Sequence, residues 1–188
     1  MKWVSNKNCY TVSQIVLLSY ISYNAVMVIY HGSVEIVEKP EIRKSERMLD
    51  FGVGFYTTSN KEQAIRWAQR VASRSELNRK ILSVYEFDKE NAEHNLVIIR
   101  FDKPDYDWLD FVCLNRLGQE IAKPYDMVIG PVANDQVYTT VALYEQGILS
   151  REAAIIDLKI SKLYDQLLFH SEKTLNYCSY IQHNKIED

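Results

Sequence analysis

Two short clusters in the first third of the chain have residue types suited to holding a small ligand. The first is His-Gly-Ser at positions 31–33, and the second is Gly-Val-Gly-Phe-Tyr at positions 52–56. A histidine can exchange a proton near neutral pH, a glycine lets a ligand approach the backbone, and a tyrosine offers a flat aromatic wall. If the fold brings the two clusters together, they form a pocket.

Each cluster also has an explanation that involves no ligand. A histidine at a strand end is usually satisfied within the structure, and glycine pairs mark many turns. A strand tyrosine such as Tyr56 usually faces the core, and Trp67, Trp108 and Phe111 are also expected there. The order of the motifs along one chain therefore carries more weight than any single motif.

The elements that position these clusters are predicted from hydrophobic patterns. Strand-like runs are MVIYHGS (from Met27), GFYTT, ILSVYEFD (81–88), NLVIIRFD (95–102), YDMVIGPVA and QLLFHS (166–171). The second cluster leads into a helix that ends near Ser73, with Ser59 and Glu62 as a capping box. The runs at 81–88 and 95–102 are expected to form a hairpin through the polar KENAEH.

Three further segments have helical spacing, and Ser150 is a candidate cap for the last of them. They are YDWLDFVCLNRL, VYTTVALYEQG and REAAIIDLK. Strands and helices therefore follow one another in a mixed order. This order predicts an α+β fold, because a doubly wound parallel sheet would alternate regularly.

The motifs resemble those of the ADP-ribosyltransferase-like fold of the diphtheria-toxin and poly-ADP-ribose-polymerase type. In that family an H-G-[ST] on the first strand, a G-x-G-x-Y before a helix and a Glu-containing late strand surround NAD. Positions 31–33 match the first motif and positions 52–56 the second, whereas Gln166 stands where the family has the late Glu. The resemblance implies two small, mostly antiparallel sheets packed together, with flanking helices around an NAD cleft.

From about Val28 to Tyr180 the chain also resembles an uncharacterised bacterial family of this fold. DFGVGFYTT, WLDFVCLNR, YDMVIGPVANDQV and FHSEKTL carry this likeness. Its members look like toxins encoded beside a small antitoxin-like partner. The resemblance therefore implies a cytoplasmic bacterial toxin whose partners are NAD, an antitoxin and an acceptor macromolecule.

The resemblance also assigns roles to individual residues. It implies a catalytic set of His31, Tyr56 and Gln166. The residues expected to contact NAD are His31, Gly32, Ser33, Gly54, Phe55, Tyr56 and Thr57. The Gly32 backbone and the Ser33 hydroxyl would hold the carboxamide, His31 a ribose hydroxyl, and Tyr56 would stack on the nicotinamide ring.

Gln166 is the departure from the family pattern. The glycosidic bond of NAD breaks through a cationic, oxocarbenium-like ribose, which a late Glu stabilises electrostatically. Gln166 keeps a hydrogen bond but not the negative charge, which favours mono-transfer over chain elongation. Asp135 and Glu172 are second-tier candidates for restoring that charge.

The expected function is an NAD-dependent mono-ADP-ribosyltransferase of the glycosyltransferase class, with NAD as a substrate. It would transfer ADP-ribose to an unidentified acceptor and release nicotinamide. Two alternatives share the same pocket. One is a non-catalytic domain that binds NAD or another nucleotide, and the other is an NAD glycohydrolase that uses water as the acceptor.

Composition excludes several other classes. The net charge of −3 gives no overall basic footprint for nucleic acid or anionic lipid. Three dispersed cysteines fit free thiols in a reducing cytosol, and scattered histidines give no support for a metal site. At 188 residues the chain fits one domain, expected at 27–182, with an N-terminal extension at 1–26 and a tail at 183–188. The extension is expected to be a helix packed on the domain or a start-site artefact, with a signal peptide or membrane anchor as the less favoured alternative.

Overall fold

The computed structural model describes residues 26–43, 49–77, 79–119, 121, 123–131, 135–160 and 164–187. Two small sheets and several helices make up these ranges, so the α+β class is confirmed. The strands are β1 (Val26–Ser33), β2 (Phe55–Thr57), β3 (Ile81–Asp88), β4 (Ile98–Arg100), β5 (Met127–Pro131), β6 (Asp165–Phe169) and β7 (Cys178–Lys185). The helices are α1 (Lys61–Ala72), α2 (Lys89–Asn95), α3 (Tyr106–Arg116), α4 (Asp135–Glu145) and α5 (Arg151–Ile160), and a 3₁₀ helix spans Glu172–Tyr177.

The strands form two sheets, here named sheet A and sheet B. Sheet A has the order β1-β3-β7 and is antiparallel throughout. Sheet B has the order β2-β6-β5-β4, in which β4 and β5 run parallel and the other pairs antiparallel. Helix α3 lies in the connection from β4 to β5, as the crossover between two parallel strands requires.

The two sheets pack against each other through one core, and a second core lies on the far side of sheet B. The first core lies between the sheets and includes Ile29, Phe55, Tyr85, Phe87, Met127, Leu167 and Phe169. The second core joins the other face of sheet B to α3, α4 and α5 and includes Trp108, Leu109, Phe111, Val112, Val128, Val141, Leu158 and Leu168. Sheet B is therefore covered on both faces.

Helix α1 covers the outer face of sheet A with a row of alanines. Ala64, Ala68 and Ala72 recur every four residues and are buried, as the sequence predicts for a helix face. Small side chains let the helix backbone approach the sheet closely. The expectation that Trp67 lies in the core is wrong, since it is 47% exposed on the same helix.

The start of α1 differs from the predicted capping box. Asn60 is the N-cap, and its side-chain oxygen accepts a hydrogen bond from the Gln63 N–H at 2.8 Å. The Ser59 N–H instead donates to the Asp165 carboxylate on β6 at 3.1 Å. The capping prediction is wrong because a long-range carboxylate competes with the local pattern.

Of the other predicted elements, some are confirmed and some are wrong. The helices α3, α4 and α5 are confirmed, and the Ser150 hydroxyl accepts from the Ala153 N–H at the start of α5. The predicted hairpin is wrong, because KENAEH forms α2 and the strands on either side join different sheets. Strand β7 was not predicted, and it runs through position 183, where the tail was expected to begin. Of the predicted N-terminal extension, residues 1–25 lie outside the described ranges.

Among the helices within these ranges, none is long and apolar enough to cross a membrane.

Candidate functional site

His31 is positioned by β1 so that its ring faces sheet B. Side chains alternate along a strand, so His31 shares a face with Ile29, which is buried between the sheets. The His31 and Phe55 ring centroids are 4.7 Å apart. The Nδ1 atom of His31 lies 2.7 Å from the carbonyl oxygen of Tyr56, so β1 and β2 meet at this histidine.

The hydrogen bond fixes the protonation pattern of the ring. A carbonyl oxygen only accepts, so Nδ1 carries the hydrogen and the neutral ring presents Nε2 as an acceptor. Burial lowers the pKa of His31, the hydrogen bond to the Tyr56 carbonyl partly opposes this effect, and the charge of Arg43 lowers the pKa further. His31 is therefore neutral at pH 7. None of the described residues forms a hydrogen bond with Nε2.

Gly32 presents its backbone groups at the edge of β1 that faces away from β3. Tyr30 exchanges both backbone hydrogen bonds with Thr58, at 2.8 and 3.0 Å. Because these directions alternate along a strand, the N–H and C=O of Gly32 point to the same side as those of Tyr30. A Cβ at position 32 would lie 2.0 Å from the Ala64 carbonyl oxygen. Helix α1 thus covers the face of sheet A at Gly32, whereas the backbone groups that the resemblance assigns to a ligand lie at the sheet edge.

The remaining residues expected to contact NAD are mostly engaged within the fold. The Ser33 hydroxyl donates to the Glu35 carbonyl at 2.5 Å. Phe55 and Thr57 are buried and share the face of sheet B that looks toward sheet A. Gly54 lies against β6, where an added Cβ would meet the carbonyl oxygen of Phe169 at 2.3 Å.

Residues 50–54, here called the glycine loop, are held by the end of β6. The His170 ring follows β6 directly, and its Nδ1 donates to the Val53 carbonyl at 2.6 Å. The same ring stacks on Tyr125, with centroids 4.4 Å apart. His170 was not predicted as a site residue, and its role here is to hold the loop.

Helix α3 holds the other side of the glycine loop. The Arg116 Nε donates to the Asp50 carboxylate at 2.7 Å, and both side chains are largely buried. Burial raises the pKa of the Asp50 carboxyl. The Arg116 charge lowers it, but by less, so the pKa is raised overall. The Arg116 guanidinium also lies 4.4 Å from the Tyr138 ring centroid. The WLDFVCLNR and DFGVGFY motifs are thus brought together by this ion pair.

Tyr56 does not present its ring to His31. It lies between Phe55 and Thr57 on β2, so its side chain points to the opposite face of sheet B and packs on the second core. Its hydroxyl donates to the Gly52 carbonyl at 2.5 Å, and burial raises its pKa. The Tyr56 carbonyl is hydrogen-bonded to His31. Its ring lies on the opposite face of sheet B, so the predicted pocket wall beside His31 is not formed by Tyr56.

Gln166 and its neighbour Asp165 lie on different faces of sheet B. Gln166 pairs with Gly130 on β5 and shares a face with Leu168 of the second core. Asp165 shares the face that looks toward sheet A, and its Oδ1 accepts from the Thr58 hydroxyl at 3.0 Å. Since Thr58 bridges to β1, Asp165 is the β6 carboxylate nearest the β1–β2 junction. In the sequence, Asp165 stands in YDQLLF directly before Gln166, the residue predicted for this role.

The second-tier residues lie away from this junction. Asp135 is the first residue of α4, a helix that packs on α3 and α5. Glu172 is exposed and begins the 3₁₀ helix, because β6 ends at Phe169 and does not continue to it. Neither residue therefore lies on β1, β2 or β6, the strands that carry His31, Tyr56 and Gln166.

A cavity of about 490 Å³, here called the β4–β5 cavity, opens beside the core between the sheets. Its lining includes Met27 and Phe87 from sheet A, and Ile129, Leu167 and Asp165 from sheet B. The connection after β4 supplies residues 100–104. His31, Tyr56 and Gln166 do not line it, whereas Asp165, which reaches the β1–β2 junction through Thr58, does.

Comparison with known proteins places the chain in a family. Residues 27–180 match a family model described as "Protein of unknown function (DUF3990)". The chain belongs to the DUF3990 family. No curated protein and no solved structure matches it.

The DUF3990 match covers most of the described fold. It begins in β1 and ends in β7, so it includes strands of both sheets and helices α1 to α5. In this DUF3990 chain, the described ranges contain no group of three or more His, Cys, Asp or Glu residues that could hold a metal ion.

Proposed function

We propose that the protein is an NAD-dependent mono-ADP-ribosyltransferase. One observation carries the proposal: the His-Gly-Ser and Gly-x-Gly-x-Tyr motifs, far apart in sequence, meet where the His31 Nδ1 lies 2.7 Å from the Tyr56 carbonyl oxygen. The two-sheet α+β architecture supports the same proposal. In the reaction an acceptor nucleophile attacks the nicotinamide ribose of NAD, nicotinamide leaves with the electrons of the glycosidic bond, and the acceptor releases a proton.

His31 is suited to bind a ribose hydroxyl. Its Nε2 is an acceptor that no described residue uses, and the lowered pKa keeps the ring neutral. A neutral acceptor adds no positive charge beside a ribose that itself becomes cationic. We assign His31 a binding and positioning role for this reason.

Asp165 supplies the negative charge that Gln166 lacks. A carboxylate stabilises a developing cation electrostatically, whereas an amide contributes only a dipole. Asp165 is tied to Thr58 and Ser59 at the junction of β1 and β2, and it lies one residue before the position of the family Glu. The proposal therefore moves the acidic role to Asp165 and leaves Gln166 a hydrogen-bonding role on the opposite face.

The biological setting follows from the resemblance alone. We propose a cytoplasmic bacterial toxin that is held inactive by a small antitoxin protein, with an acceptor that is still to be identified. Expression in a bacterial host tests this setting. Growth arrest by the natural chain and its loss in His31→Ala support it, provided both proteins accumulate equally.

A non-catalytic NAD-binding or nucleotide-binding domain is the second candidate. The position of Tyr56 favours it, because the ring is held in the second core by its hydroxyl bond to Gly52 and does not stack beside His31. Such a domain would bind NAD without releasing nicotinamide. An NAD glycohydrolase would release nicotinamide with no label on a macromolecule.

The experiment follows labelled NAD with purified protein and bacterial lysate. Transfer of labelled ADP-ribose with release of nicotinamide is expected, and both should fall at least tenfold in His31→Ala and in Asp165→Asn. His94→Ala is the matched control, because His94 is exposed on α2 and far from the junction in sequence. Binding without nicotinamide release would select the second candidate. Absence of binding, release and transfer would refute the proposal.

A further inference from the structure

The β4–β5 cavity lies where open sheets commonly bind ligands. Strands β4 and β5 are parallel, and the cavity is lined by the residues at their carboxyl ends. Crevices at the carboxyl ends of parallel strands are frequent ligand sites, because the connecting loops diverge there. A volume of about 490 Å³ is within the range of small-molecule sites.

Part of the cavity lining is apolar and aromatic. Phe87 and Met27 from sheet A and Phe101 after β4 contribute to its lining, together with Leu158 of α5. Phe101 also lies close to Gly130, where an added Cβ would come within 3.1 Å of it. Aromatic side chains pack favourably against a flat ring, so such a surface is suited to the aromatic ring of a ligand.

Three cationic residues also belong to the lining of the cavity. Lys89, Arg100 and Lys103 line it. Glu93 interacts with Arg100 at 2.6 Å and with Lys89 at 3.9 Å, whereas Lys103 forms no ion pair with any residue in the described ranges. An arginine fork beside a lysine is a common arrangement for binding phosphate.

Among the described residues, neither carboxylate of the lining forms an ion pair with these cations, so Glu93 is the acid that competes with a phosphate for Arg100. Asp165 is directed to the Ser59 N–H and the Thr58 hydroxyl, both at the start of α1. Asp102 is exposed on the connection after β4 and can accept a hydrogen bond from a sugar hydroxyl. The lining thus combines an aromatic wall, a hydroxyl acceptor and phosphate-binding cations.

We propose that the β4–β5 cavity binds a phosphorylated small molecule that carries an aromatic ring, of the nucleoside-phosphate class. The cavity does not include His31, but it shares Asp165 with the proposed NAD chemistry, so the test must separate the two proposals. Met27 lines the cavity and precedes His31 by four residues, which corresponds to about 13 Å along a strand.

Calorimetric titration of the full chain with ADP tests the proposal, with adenosine and inorganic pyrophosphate as part-ligands. ADP is expected to bind at least tenfold more tightly than either part. Arg100→Ala and Lys103→Ala should each weaken ADP binding about three- to tenfold, because each removes one phosphate contact at a partly exposed rim. Lys123→Ala removes an exposed lysine outside the cavity and should leave affinity unchanged.

Circular dichroism and thermal melting confirm that each variant is folded before affinities are compared. The proposal is overturned if ADP does not bind at millimolar concentration, or if Arg100→Ala and Lys103→Ala bind ADP as the natural chain does. It is also overturned if His31→Ala, and not these variants, abolishes ADP binding, which would place the nucleotide at the β1–β2 junction. Loss of NAD turnover in His31→Ala with unchanged ADP affinity would support both proposals separately.

Discussion

Substituting Gly32 by alanine tests how closely α1 packs on sheet A. In the structure the new methyl carbon would lie 2.0 Å from the Ala64 carbonyl oxygen and 2.9 Å from the Ala68 nitrogen. Both are backbone atoms of α1, so no side-chain rotation can relieve the contact. The helix must move as a body or the strand must bend.

The size of the effect follows from the distance. Restoring an ordinary contact of about 3.4 Å requires a shift of about 1.4 Å, and that shift opens a gap under Ala64, Ala68 and Ala72. A gap of about 1 Å already removes up to about half of the dispersion energy of the atoms that line it. Overpacking in a core costs about 1–3 kcal/mol, and the lower chain entropy of alanine offsets about 0.5 kcal/mol. We therefore expect the free energy of unfolding to fall by about 2 kcal/mol, near the upper end of that range after the offset.

Denaturant and thermal unfolding provide the assay, with Gly147→Ala as the matched control. Gly147 has φ +72° and nothing within 4 Å of an added Cβ, so its substitution reports backbone strain alone, about 1 kcal/mol. Gly32→Ala should lower the melting temperature by about 4–8 °C, as expected for a chain of this size. If Gly32→Ala is no less stable than Gly147→Ala, the close seating of α1 is refuted.

Three further predictions concern buried charges and pH. Arg116→Met should cost about 3–5 kcal/mol of unfolding free energy because it leaves Asp50 buried without a partner, and Asp50→Asn in the same chain should recover most of that loss in a double-mutant cycle. The pKa of His31 is lower in the folded protein than in the unfolded chain, so on acidification the unfolded chain takes up this proton at a higher pH. Stability should therefore fall as pH drops below about 6.5. His31→Asn should remove this part of the pH dependence. Burial tends to raise the pKa of Asp126, but hydrogen bonds from the Val97 N–H, Lys173 and Ser171 outweigh it and lower the pKa overall. Asp126→Asn should therefore cost about 2 kcal/mol at pH 7, with the difference from the natural chain shrinking below about pH 4 in urea unfolding.

The elements that could be predicted are those whose hydrophobic pattern matches their burial. Strand β1 and helix α3 carry clear runs of apolar residues, and both are present at nearly the predicted bounds. Strand β7 was missed because it is an edge strand of sheet A, and its CSYIQHNK sequence is largely exposed with no apolar alternation. Helix α2 was missed for a related reason: Asp88 caps it, but only Ala92 is buried along it.

The orientation of the site residues could not be predicted in the same way. Phe55 and Tyr56 are adjacent aromatic residues, and a shift of one position moves a side chain to the opposite face of a strand. Both faces of sheet B are buried, so either ring could have faced His31 on hydrophobicity alone. The same ambiguity separates Asp165 from Gln166. Motif matching identifies the strand, whereas the register fixed by β2 and β6 decides the face.

The position of the glycine loop explains how distant residues act on His31. The loop is held by Arg116 of α3 on one side and by His170 after β6 on the other, and it leads directly into Tyr56. The Tyr56 carbonyl in turn fixes the hydrogen on the His31 Nδ1 and leaves Nε2 as the acceptor. A change that displaces the loop would therefore reorient His31 without touching it. If the proposed NAD turnover is observed, its loss in Arg116 or His170 variants should for this reason be interpreted as loss of positioning.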